Sequence, residues 1–328
     1  MKAAYVRRLG PADTIRYGSL PDPRPGPSDV LVAVEAAAVD AVDTFVRSGA
    51  YRTPVPFPFV VGRDVVGRVV ECGAEVTGFR AGDRVWTNSL GHDGRQGAAA
   101  ELAAVPADRL YHAPPGADPV ALVSVVHPAA TAYLALVVHG RVRAGETVLV
   151  AGAAGNVGRV AVVLAARAGA RVVATAAAAD LDACRALGAA VAVDYRDPRH
   201  AERLHAAAPH GVDVHLDTSG RHDLDLAVDL LAPRGRIVLL AGLSARPRLP
   251  VGPLYTRDGR IEGLAISNAT SEELAAAAEQ VNQLVAEGAL TPRRVEELPL
   301  SRTAQAHARL EAGDAAGVRL VLRPALDH

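Results

Sequence analysis

The chain has 328 residues, half of them hydrophobic and 22% charged, with a formal net charge of −1. That length predicts about two domains, and the near-neutral balance excludes the electrostatic footprint of a nucleic-acid or anionic-membrane binder. Lys2 is the only lysine among 35 Lys and Arg residues, which excludes an internal Schiff base and a phosphate-loop lysine.

Residues 1 to about 120 read as β-rich: apolar, β-branched runs at 30–39, 65–72 and 83–88 are separated by Pro/Gly-rich turns at 21–29 and 53–59. Cys72 and Cys184 are far apart and read as inert thiols; zinc sites built on several cysteines are excluded. Residues 129–139 read as a helix that begins just after Pro128. From Gly145 onward strands and helices alternate. The strands are expected at 147–151, 171–176, 191–194, 213–217, 236–241 and 260–266, and the helices near 156–168, 180–187, 198–208 and 223–231. Such alternation predicts a parallel, doubly wound sheet. A helix over 271–287 opens with Ser271, Glu272 and Glu273. The tail from about 290 returns to short elements and is expected to complete the first domain. The fold class is therefore α/β, with one domain made of 1–122 and 267–328 and the other of 123–266. No apolar run reads as long enough to cross a bilayer, and the first residues carry no signal-peptide core, so the expectation is a cytoplasmic enzyme.

Residues 147–176 carry the clearest chemistry. They read as strand, glycine turn, helix and strand within about 30 residues, the context of a dinucleotide fingerprint. Gly155 would let the backbone approach a pyrophosphate, and Gly158 would let the helix lie close on the sheet. The helix N-terminus would offer N–H groups to the phosphates. Ala153 replaces the usual first glycine. No acid follows the second strand until Asp180, which favours NADPH over NADH. Thr175, Tyr195, Arg319 and Arg199 are the available donors for a 2′-phosphate.

Several stretches resemble one family in order along the chain. They are DAVDTFVRSGAY at 40–51, GRDVVG at 62–67, AGDRV at 81–85, PAATAYLAL at 128–136, AGAAGNVG at 151–158 and LGAAVAVDY at 187–195. The resemblance is to zinc-independent, zeta-crystallin-like quinone oxidoreductases of the medium-chain dehydrogenase/reductase superfamily. It implies a GroES-like, β-rich catalytic domain, a Rossmann domain, a cleft between them, and a homodimer joined through the last Rossmann strand, about 260–266. It places Thr131, Gly155, Asn156, Val157, Thr175, Tyr195, Ser219, Gly242 and Asn268 around the dinucleotide and Tyr51 at the substrate. Asn268 reads equally as an ordinary turn residue.

Zinc-dependent relatives place three metal ligands where this chain is expected to carry Asp40, Arg63 and His127. A guanidinium cannot ligate, so no metal is expected. Asp40 stands where quinone reductase relatives usually have Asn. It reads as part of a polar cleft floor with Arg63 or His127, or as a solvated loop acid. His127 reads as a proton donor or as a packing residue. The 88–97 segment reads as a cleft wall carrying Asn88, His92 and Arg95, or as a solvated loop. The expected activity is NADPH-dependent, zinc-independent hydride transfer to a small quinone or α,β-unsaturated carbonyl. Alternatives are a zinc-independent alcohol dehydrogenase using Asp40, Asp64 or His127 as base, and a non-catalytic nucleotide-binding protein.

Overall fold

The ten residues Asp29–Ala38 alternate β-branched and small side chains and form the central strand of a seven-stranded sheet. The structure, a computed structural model, describes residues 1–327 and divides into two units, Met1–His127 with Leu274 onward, and Pro128–Glu273. In the first unit, Asp29–Ala38 pairs antiparallel with Asp64–Cys72, Leu102–Pro106 and Arg319–Arg323. Val295–Pro299 extends that sheet parallel to Arg319–Arg323. The tail thus threads into the sheet begun by Asp29–Ala38 far earlier in the chain, and Val39 N donates to Leu320 O at 3.0 Å. A separate three-stranded sheet joins Arg16–Ser19, Lys2–Val6 and Phe59–Val60. Val30, Val32, Val65, Val85, Leu90 and Leu322 lie in the core of this unit.

The second unit is a six-stranded parallel sheet in the order Val191–Asp194, Arg171–Ala176, Thr147–Ala151, Val212–Asp217, Leu231–Leu239, Arg260–Gly263. The chain order reverses direction between Thr147–Ala151 and Val212–Asp217, the switch point where open α/β sheets bind ligands. Helix Asn156–Arg167 buries Val160, Ala161, Val163 and Ala165. Leu149, Val173, Val193 and Leu204 form one of this unit's apolar clusters.

Three expectations are corrected. Helix Pro119–Tyr133 runs straight through Pro128 and continues in wider turns over Leu134–His139, closed by Gly140 N on Ala135 O at 2.8 Å. Proline costs a helix about 3 kcal/mol, but Leu122, Val123, Val126, Ala130 and Ala132 are all buried, and burial outweighs it. This same helix, Pro119–His139, is long and apolar enough to cross a membrane by length and composition, with a mean hydropathy of 1.9. Over its most apolar 18-residue stretch 78% is buried, as in the core helix of a folded unit. The fifth strand begins at Leu231 rather than 236, and the sixth ends at Gly263. Neither cysteine forms a disulfide.

Candidate active site and nucleotide-facing turns

Three sheet positions deliver charge to one buried point in the first unit. Asp40 follows the central strand and precedes helix Ala41–Ser48, where its N–H donates to Asp43 Oδ2 at 2.8 Å. Asp64 opens the neighbouring strand, in register with Ala38. Arg319 opens the strand on the other side. Arg319 Nη1 donates to Asp40 Oδ1 at 2.6 Å and to Val39 O at 3.3 Å, while Nη2 donates to Asp64 Oδ2 at 3.2 Å. His127 Nδ1 lies 3.1 Å from Asp64 Oδ1 and 3.9 Å from Asp40 Oδ2. All four side chains are buried.

Their charges are set by this crowding. Burial opposes ionisation of Asp40, but Arg319 beside it holds the carboxyl well below the usual range. Asp64, buried and next to the Asp40 charge, is pushed well above that range. Asp43 is pushed up to about 8 by burial and then by Asp40. Burial pushes His127 down. The cluster therefore holds an ionised Asp40 against Arg319, while Asp64 and Asp43 beside it resist ionisation.

Beside the expected Asp40, Arg63 and His127 the structure adds Asp64, which makes the shorter contact with His127. Asp64 opens the strand Asp64–Cys72, and Arg63 precedes it. Arg63 is 1% exposed, and its Nε and Nη2 have no hydrogen-bond partner. It lies in the field of Asp43, Asp64, Asp40 and Tyr51. Arg319 is corrected: its guanidinium is committed to two carboxylates and is unavailable to a 2′-phosphate.

Donor atoms of Asp40, Asp64 and His127 lie within 4.8 Å of one another, a spacing that suits a metal ion. Arg319 already supplies the cation to both carboxylates, and a second positive centre would face its fixed charge.

Tyr51 is half-buried and lines a groove of about 370 Å³ with Leu9, Gly49, Arg52, Thr53 and Pro54. The 88–97 segment is not a solvated loop: Asn88, Ser89 and His92 are buried. Arg95 pins it, with Nε donating to Ser89 O at 3.0 Å and Nη2 to His92 Nε2 at 3.0 Å. His92, pushed down to about 4 by burial and by Arg63, accepts that bond as a neutral ring.

In the second unit the site is made of backbone. Gly152 turns with φ of 79°, and a Cβ there would lie 2.7 Å from Thr218 Oγ1. A Cβ on Gly158 would lie 2.2 Å from Gly152 O, so only glycine lets the helix approach the strand. Gly155 precedes the helix, which has no side-chain cap and no acid in its first turn. The N–H groups around Gly155, Asn156 and Val157 suit an anion. Thr175 lies in the second strand, and Ser219 and Gly242 follow the ends of the fourth and fifth. Asn268 closes the turn Ile266–Asn268 and is exposed, and Thr131 is buried in its helix. Tyr195 follows the third strand, and Arg196, which sequence reading passed over, stands over its ring at 5.3 Å. Register pairs Ala176 with Asp194, so Arg196 follows the strand next to the one that carries Thr175.

Comparison with known proteins accords with both halves. Residues 26–115 match the alcohol dehydrogenase GroES-like domain, and residues 156–283 match the zinc-binding dehydrogenase family. A quinone oxidoreductase of Sus scrofa is 30% identical over 312 residues, 94% of this chain and 93% of its own. A mycobacterial protein solved in complex with NADPH has a TM-score of 0.84 at 29% identity, covering 99% of this chain and all of its own. A solved NAD-dependent alcohol dehydrogenase has a TM-score of 0.87 at 30% identity, over 98% of this chain and 99% of its own.

Proposed function

This chain belongs to the quinone oxidoreductase family of the medium-chain dehydrogenase/reductase superfamily, and from that premise we propose that it reduces a quinone or an α,β-unsaturated carbonyl with NADPH and without a metal ion. What supports this reading is the buried cluster in which Asp64 and Asp43, both pushed up by burial and by Asp40, stand beside the Asp40–Arg319 pair. Such a cluster is stocked to give a proton, which reduction needs, and poorly suited to take one, which alcohol oxidation needs. Asp40 is ionised, yet Arg319 makes it a weak base.

NADPH, when bound, supplies the hydride. The N–H groups of Asn156 and Val157 hold its pyrophosphate where Gly155 lets the backbone approach, with Ser219 and Gly242 on the flanking turns and Thr131 and Asn268 nearby. Thr175, Tyr195 and Arg196 take the 2′-phosphate. Tyr51 donates a hydrogen bond to the acceptor oxygen, where negative charge develops, and Arg63 adds a fixed positive field to the same region. His127, neutral and bonded to Asp64, orients the proton store. The same reading gives an enzyme that works on small molecules in the cytoplasm and pairs with itself along the Arg260–Gly263 strand, whose outer edge carries no further strand among the described residues.

The test is anaerobic oxidation of NADPH, with NADH alongside, by chelator-treated protein against a panel of quinones and enones. Turnover with NADPH is expected, and Tyr51→Phe lowers kcat more than it weakens cofactor binding. Zinc-dependent turnover, or oxidation of alcohols in place of acceptor reduction, overturns the reading. Cofactor binding with no turnover on any acceptor leaves a non-catalytic nucleotide-binding protein.

A further inference from the structure

Between the ends of the fourth and fifth parallel strands, His222 presents both ring nitrogens to acceptors. Nδ1 lies 2.8 Å from Asp217 Oδ2, and Nε2 lies 2.7 Å from the carbonyl oxygen of Ala241. A carbonyl oxygen has no proton to give. Asp217 has none either. Its Oδ1 accepts from Ser219 N at 2.8 Å and from Ser219 Oγ at 2.7 Å. Burial opposes its charge, but the bonds from Ser219 and His222 hold its carboxyl below the usual range. A neutral imidazole carries one N–H and satisfies one acceptor. Both bonds together require the imidazolium.

The ring also sits at a mechanical junction. His222 has φ of 41°, in the left-handed region that a side-chain-bearing residue keeps only when its contacts enforce it. A Cβ on Gly242 would lie 2.7 Å from His222 Nε2 and 2.7 Å from Gly220 O, so the two turns touch through this residue. Asp217 on the fourth strand bonds it, and His215, two residues earlier on the same strand face, lies in the field of Asp217, Asp223 and His222. His215 is buried with neither ring nitrogen bonded, and burial keeps it neutral. Arg221 adjoins the ring in sequence and is exposed.

We propose that His222 is a charged latch that positions the two dinucleotide-facing turns, 217–220 and 241–242, so that full cofactor affinity requires its protonated ring. This inference rests on the reading that Ser219 and Gly242 face the cofactor. His222 is a positioning residue; it touches the turns and acts through them.

Dissociation constants for NADPH and NADH are measured by calorimetry between about pH 6 and about pH 9. Both dinucleotides are needed because a 2′-phosphate itself titrates near pH 6. For the wild type, affinity for both is expected to fall about tenfold as the ring loses its proton, the worth of one charged hydrogen bond. His222→Asn, neutral and tolerant of left-handed backbone, is expected to bind both about tenfold more weakly at the acid end and to show no such fall. Wild-type affinity in the variant, or an unchanged pH profile, overturns the latch alone. Failure of the wild type to bind either dinucleotide overturns the cofactor reading and the latch with it. Nitrogen-15 NMR of the wild-type ring in the dinucleotide complex, expected to show both nitrogens protonated, decides the matter even where the variant fails to fold; a neutral ring in the complex overturns the proposal.

Discussion

The two units build their sites from different material. The first gathers Asp40, Asp64, His127 and Arg319 into a buried knot of ionisable side chains, each dependent on the others for its charge. The second uses the bare backbone of Gly152, Gly155 and Gly158 and the end of a helix. Side chains that compensate one another are fragile to single changes, because removing one leaves a buried charge unpaired. A backbone cradle is indifferent to most side-chain changes and fails only where an added atom has nowhere to go.

That contrast sets the expected sizes of effect. Arg319→Met should cost about 3–5 kcal/mol of stability by urea unfolding, since it strands the Asp40 and Asp64 carboxyls. A loss under about 1 kcal/mol would mean that the guanidinium is not what holds them. Gly158→Ala comes next, at about 1–3 kcal/mol, because its Cβ would meet Gly152 O at 2.2 Å. Gly155→Ala, where the one close atom is 3.2 Å away, should spare stability and weaken dinucleotide binding instead. Equal stability losses at the two glycines would break the cradle account.

The third effect is read in pH. Asp43 ionises near pH 4 when unfolded and at about 8 when folded. Across that window the folded chain keeps a proton that the unfolded chain has released. Its contribution to stability is complete below about pH 4 and is lost as the pH rises toward 8. Unfolding of Asp43→Asn, compared with wild type at about pH 5 and about pH 8, should show a flatter decline. Parallel declines would place the proton elsewhere. The smallest effect is expected at Arg196→Ala: about tenfold weaker NADPH binding, roughly 1.4 kcal/mol, with NADH unchanged. An equal loss for both cofactors would remove Arg196 from the 2′-phosphate.

The same contrast explains what could be read in the sequence. The second unit announced itself because glycine spacing and strand period are local signals, and the order of its strands follows from their alternation with helices. Pro128 misled because a local helix breaker was outweighed by the burial of the whole helix. Asp40 and His127 were legible as unusual residues at positions the family resemblance marks. Asp64 was not, because it stands one position past the one the resemblance marks, and only the fold brings it to His127 and Arg319. Arg319 lies 255 residues from Asp64, and only the pairing of the tail strand with Asp29–Ala38 brings them together. Arg196 was missed by reading along the second strand rather than across to its neighbour.

The late arrival of Arg319 also bears on how the protein is made. A ribosome releases Asp40 and Asp64 early, then the whole of Pro128–Glu273, and only afterwards the strand Arg319–Arg323. Until that strand docks, the two acids have no cation and cannot be sealed from water at low cost. The inserted unit has every one of its strands in hand by residue 263 and is free to fold during synthesis. The first unit must wait with its central strand one neighbour short, an exposed edge in the nascent chain. Chains stalled before residue 319 are therefore the ones on which a holding chaperone should be found.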